Sequence, residues 1–171
     1  MSDSMKRHFN AKTIAVVAIL LAAQIVLSRF LSIPTPVTKI GFSFVPIIIA
    51  ARKYGPFEAG LISGLGDFLG AILFPIGPYF PGFSLTAVLM GVCNGLFLKR
   101  SGSMKAIAAT VLINQFILSL FLNTLWISML YGTPYTELLV TRLAQAAVVS
   151  VVQILVITLI VKKGDKVLSR I

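Results

Sequence analysis

Six apolar runs divide this chain of 171 residues, and they limit its folding more than any other feature. They cover about 13–31, 41–51, 57–74, 83–98, 105–130 and 136–161. Crossing the hydrocarbon core of a bilayer takes about 20 apolar helical residues, with a range of roughly 17–25. The second and fourth runs are the shortest, and the second needs flanking help to cross. Breaks between runs carry prolines, glycines and charges: Ser32-Ile33-Pro34-Thr35-Pro36, Arg52-Lys53-Tyr54-Gly55-Pro56, Lys99-Arg100-Ser101-Gly102-Ser103 and Tyr131-Gly132-Thr133-Pro134. The third break, Pro75-Ile76-Gly77-Pro78-Tyr79-Phe80-Pro81-Gly82, is a stiff aromatic loop.

Composition closes off the alternatives. Apolar residues make up 57% of the chain and charged ones 12%, against roughly 25% charged in soluble domains. A water-soluble globule of this size cannot cover its surface with so few polar groups, and the apolar content is too high for disorder. The expected fold is an all-α integral membrane protein of six transmembrane helices. It is a single domain over 1–171, with short tails at about 1–12 and 162–171.

The chain carries 15 basic and 5 acidic residues, a net charge of +10. An even number of spans puts both termini on one side. That side holds Lys6, Arg7, Lys12, Arg52, Lys53, Lys99, Arg100, Lys105, Lys162, Lys163, Lys166 and Arg170, which is 12 of the 15. The other holds Arg29, Lys39 and Arg142. The positive-inside rule then predicts that both termini are cytoplasmic. Charges spread over short loops and tails fit a lipid bilayer as partner and not a nucleic acid. The first run is too long for a signal peptide, and no small-residue cleavage site with a soluble domain behind it follows. One cysteine, Cys93, and one histidine, His8, exclude an internal disulfide, a Cys-rich metal site and a His-based catalytic site.

The three outward cations each need a reason. Arg29 and Lys39 can snorkel to headgroups, or join Arg142 in an electropositive mouth for an anionic solute. Arg142 lies almost two turns into the sixth run, where a guanidinium needs a partner or a wet cavity. Asp67 is the one acid deep within a run. Its carboxylate suits a ring bearing an N–H and an amino group, or an internal partner such as Arg142 or an amide. Tyr79, Phe80, Phe83 and Trp126 form either an interfacial belt or the walls of a pocket for a flat heterocycle. Asn123 and Gln145 are level with that pocket, while Asn114, Gln115 and Gln153 can bond helix to helix.

Three small-xxx-small glycine pairs, Gly60/Gly64, Gly66/Gly70 and Gly91/Gly95, predict close internal packing. Ala11, Ala15, Ala18 and Ala22 make a smooth stripe on the first helix. Spacing leaves open whether it packs inside the bundle or docks another subunit.

Leu27-Ser28-Arg29-Phe30, Lys39-Ile40-Gly41-Phe42, Gly66-Asp67-Phe68-Leu69-Gly70-Ala71 and above all Phe74-Pro75-Ile76-Gly77-Pro78-Tyr79-Phe80-Pro81-Gly82-Phe83-Ser84-Leu85-Thr86-Ala87 resemble the folate-specific S component of energy-coupling-factor transporters, over about 12–163. The resemblance implies a multi-pass substrate-binding subunit of a bacterial cell membrane, not an enzyme and without a cofactor of its own. Its partners would be folate, a transmembrane coupling subunit and two cytoplasmic ATPases that hydrolyse ATP. Substrate would be taken from outside and released inside as the subunit topples in the membrane. A small-xxx-small motif on the first helix docks the coupling subunit in that family. Ala18-Ile19-Leu20-Leu21-Ala22 matches it best, with Ala11/Ala15 as a second candidate. In such a site Asp67 reads the pteridine edge, the aromatics sandwich the rings, and Arg29, Lys39 and Arg142 meet the glutamate. Rival readings are an S component for another vitamin such as pantothenate or a thiamine precursor, a small intramembrane enzyme, and a ligand-free accessory subunit.

Overall fold

The structure, a computed structural model, describes residues 10–34 and 39–168. Lys6, Arg7, His8 and Arg170 lie outside them, and of Lys39 and Lys166 only the backbone is described. Among the described residues there are six helices: α1 (Ala11–Arg29), α2 (Phe44–Lys53), α3 (Pro56–Leu73), α4 (Pro81–Leu98), α5 (Met104–Tyr131) and α6 (Tyr135–Leu168). Between α1 and α2 runs a short antiparallel hairpin, β1 (Ser32–Pro34) and β2 (Lys39–Gly41), with Ser32 opposite Gly41.

Five of the helices are long and apolar enough to cross a membrane. The exception is α2, which has only 10 residues and so rises about 15 Å, half a bilayer. The second run therefore forms the sixth helix, but one too short to cross a membrane without flanking help, as its length led us to expect. The first residue of the run, Gly41, belongs to the hairpin, where it lies so close to Ser32 that a Cβ would stand 2.8 Å from the serine Cβ. The last helix also differs: α6 runs on to Leu168, through residues read above as a tail. Lysines are good helix formers and favour a helix C-terminus.

Local chemistry sets most boundaries. Pro56 and Pro81 open α3 and α4, where a missing N–H costs nothing. Ser103 caps α5 by accepting from the Ala106 N–H at 3.3 Å. Gly132 closes the same helix at φ 66°, a left-handed position suited to glycine.

Two apolar clusters form the core, and both contain α2. One gathers Ile48, Leu98, Ile107, Val111, Ile157 and Val161. The other gathers Ile47, Ala50, Ala51, Ala59 and Ile62, backed by Val17 and Leu20 of α1. At the adjoining loops, the basic end of the bundle, Arg52 Nη1 donates to the Leu98 carbonyl at 3.0 Å and Lys99 Nζ to that of Tyr54 at 2.5 Å. Helix α2 thus fills the basic half of the bundle only. Just ahead of it in the chain, Gly41 and Ser43 line a cavity.

Candidate substrate-binding site

The cavity measures about 820 Å³. Phe44, Ile47 and Ile48 of α2 form its apolar floor together with Val111 and Ile157, and α1, α3, α4, α5 and α6 supply polar walls.

The wall between α1 and α3 depends on two glycines. A Cβ on Gly66 would fall on the carboxamide of Gln24, and one on Gly70 would lie 2.8 Å from Arg29 Nε. Each glycine is a notch that receives one polar side chain of α1. Gln24 is buried there and its Oε1 has no hydrogen-bond partner. Arg29 Nη2 donates to the Asp67 carbonyl at 3.3 Å. The Asp67 carboxylate itself accepts from Ser84 Oγ at 2.9 Å, and that hydroxyl lies 3.1 Å from the Tyr79 hydroxyl.

The facing wall is built by α5 and α6. Residues Ile113–Asn123 of α5 form a π-helix, a rare geometry that recurs at functional sites. Gln115, Ser119 and Asn123 all line the cavity from this segment. Arg142 of α6 is only 5% exposed, and its Nη2 donates to the Ser119 carbonyl at 3.4 Å. Asn114 donates to Asn94 at 2.9 Å and Gln115 to Gln153 at 3.0 Å. These two pairs bond helix to helix, as their positions led us to expect, and their residues also line the cavity. Side-chain oxygens of Asn114, Asn123 and Gln145 are buried without partners. Unpaired buried polar groups are costly, and a polar ligand would supply what they lack.

Residues 8–163 match the family described as ECF-type riboflavin transporter, S component. The chain belongs to that S-component family. This S component is 38% identical over 141 residues to the folate transporter FolT of Clostridium novyi (strain NT), a match that covers 82% of both chains. It is 30% identical over 128 residues to FolT of Leuconostoc mesenteroides, covering 74% of this chain and 69% of that one. It superposes with a TM-score of 0.85 on a crystal structure of FolT bound with folic acid, at 31% identity, covering 90% of this chain and 95% of that one. The S component is thus a multi-pass membrane protein and a transport subunit, not an enzyme.

Of the residues singled out in its sequence, Arg29, Asp67, Tyr79, Phe83, Asn123, Arg142 and Gln145 line the cavity of the S component. The side chain of Lys39 lies outside the described residues. Phe80 and Trp126 do not line it. Their rings pack on each other with centroids 5.6 Å apart, and Trp126 Nε1 donates to Thr86 Oγ1 at 3.0 Å. Gly82 leaves the room for Trp126, so these aromatics brace the start of α4. Arg29 lies against Asp67, whereas its sequence position grouped it with Arg142. Gln24, Ser63 and Ser84 went unnoticed. Gln24 carried a signal, a lone carboxamide in an apolar run; the two serines carried none.

Ala11, Ala15, Ala18 and Ala22 are all exposed. They lie on the side of α1 away from Val17, Leu20 and Gln24, so the stripe is not packing inside this bundle.

Proposed function

We propose that this S component binds folate in the cavity and delivers it across a bacterial cell membrane. The observation that carries the reading is one cavity holding two guanidiniums, Arg29 and Arg142, and one carboxylate, Asp67, in the fold of a FolT crystallised with folic acid. Folate matches that set: its glutamate brings two carboxylates and its pteridine a flat edge of N–H donors. Burying Arg142 in a membrane helix is costly without an anion or a polar cavity, and a ligand carboxylate offsets that cost.

The aromatic end is the outer face on this reading, and both termini are cytoplasmic, as the distribution of basic residues supports. The S component holds no cofactor of its own. Two ATPase subunits hydrolyse ATP, and a transmembrane coupling subunit docks on the exposed stripe Ala11, Ala15, Ala18 and Ala22, where small side chains permit close helix approach. Enlarging Ala18 or Ala22 to Trp should abolish assembly and uptake while the isolated subunit still binds ligand.

Riboflavin is the second reading, because the matching family is described by that vitamin. Riboflavin carries no anionic group and would leave Arg142 without a carboxylate. The deciding experiment identifies the small molecule that co-purifies, by absorbance and mass spectrometry. It then titrates the emptied protein with folic acid and with riboflavin. Folic acid should bind and riboflavin should fail to compete in large excess; the reverse result would overturn the assignment.

A further inference from the structure

The site's hydrogen bonds have a direction, and the direction selects a ligand pattern. Asp67 Oδ2 accepts from Ser84 Oγ at 2.9 Å. A serine hydroxyl has one proton, and here it is committed to the carboxylate. The 3.1 Å contact between Ser84 Oγ and the Tyr79 hydroxyl must then have Tyr79 as donor. Both tyrosine and aspartate line the cavity, while Ser84 does not. What they offer a ligand is therefore acceptors only: Asp67 Oδ1 and the lone pairs of the Tyr79 oxygen.

The framework around this relay is firm. The Tyr79 ring meets Phe68, the neighbour of Asp67, edge to face with centroids 5.8 Å apart. Ser84 sits in the first turns of α4, which is braced by Trp126 on Thr86 and by Thr86 Oγ1 donating to the Gly82 carbonyl at 3.0 Å. The serine is thus held on a braced helix start, and one hydroxyl ties the loop before α4 to the carboxylate of α3.

We infer that Ser84 is a positioning residue that turns Tyr79 into an acceptor, so that Asp67 and Tyr79 together select a ring edge bearing two N–H donors and reject one bearing carbonyl oxygens. This rests on the folate reading above and sharpens it. The pteridine of folate carries a 2-amino group beside a ring N–H. A dioxo ring, such as the pyrimidinedione edge of a flavin, turns carbonyl oxygens toward the same acceptors.

The test compares folic acid with its 2-oxo analogue, in which a carbonyl oxygen replaces the 2-amino group and ring N1 gains a proton, the ring N3–H and the rest of the molecule being kept. The purified full-length protein should prefer folic acid by about a hundredfold or more, as sites built around a hydrogen-bonding group do. In Ser84→Ala the tyrosine proton loses its acceptor and turns to the ligand. Folic acid should then bind about tenfold more weakly, and the preference over the analogue should shrink. Ser84→Thr should restore both values. Should Ser84→Ala fail to fold, Tyr79→Phe, at an exposed loop position, takes its place and should also narrow the preference. Equal losses for both ligands would make Ser84 merely structural and overturn the inference. A wild-type protein that binds folic acid and its analogue alike would overturn it too and leave the folate assignment standing. A protein that binds neither would overturn both.

Discussion

Helix α3 meets α4 and α1 through glycines of the same spacing, yet the two seams are built differently. Toward α4, Gly60 and Gly64 face the side chains of Val92 and Val88, and Gly91 and Gly95 of α4 face the backbone of Ala59 and Pro56. That seam is backbone against backbone, with methyl groups filling the remainder. Toward α1, Gly66 and Gly70 accept the polar heads of Gln24 and Arg29. The first seam holds the bundle together and the second forms a wall of the binding cavity. A small-xxx-small spacing says only that room is left. The residue opposite decides whether the room becomes packing or chemistry.

The strongest test of this contrast is Gly91→Leu. Its side chain would meet the Ala59 carbonyl and backbone, which cannot rotate away. Overpacking of this kind costs about 1–3 kcal/mol or more, so folded, monodisperse protein should be largely lost in detergent. A well-folded variant with an unchanged melting temperature would show that the seam is looser than drawn.

Gly66→Leu should act on the other seam and on the other property. The obstacle there is the end of the Gln24 side chain, which can move. The protein should fold, and folic acid should bind about tenfold more weakly because the α1 wall is displaced. A large loss of thermal stability with unchanged affinity would erase the distinction between the seams.

Arg142→Ala addresses the wall opposite α1. It should weaken folic acid about tenfold and leave a pterin fragment without glutamate almost unchanged. Arg29→Ala should harm both ligands, because Arg29 lies against Asp67. Its effect should be non-additive with that of Asp67→Asn, as expected for residues in contact. Titrating both ligands against the three variants separates the two ends of the cavity. The smallest effect belongs to Trp126→Phe, which removes the hydrogen bond to Thr86. It should lower stability by about 1 kcal/mol and leave affinity unchanged, since Trp126 does not line the cavity.

Much of the bundle was legible in the sequence because long apolar runs admit few structures. Prolines at 34, 56 and 81 and the basic breaks marked the ends. The glycine pairs announced close packing. Asp67 and Arg142 stood out because charge is rare in such runs, and both line the cavity. What stayed hidden was local geometry with no residue code of its own. The hairpin has three-residue strands. The π-helix of α5 has the same kinds of residue as any apolar helix. The reach of Gln24 and Arg29 into α3 joins α1 to a helix 38 positions on in the case of Arg29 and Asp67.

By itself the sequence determined that this is a helical membrane protein, roughly where its helices begin and end, and which rare polar groups it must shelter. The tertiary structure alone decided which of those groups face one another. In water, an amphipathic pattern tells which side of a helix turns inward. In lipid the outside is as apolar as the core, so the pattern fades and the rotation of each helix is left to packing. That rotation aims Arg29 at Asp67 and sends Trp126 to the α4 brace. It also turns the alanines of α1 outward. Arg29 and Asp67 thereby line one cavity together with Arg142, over the short helix α2.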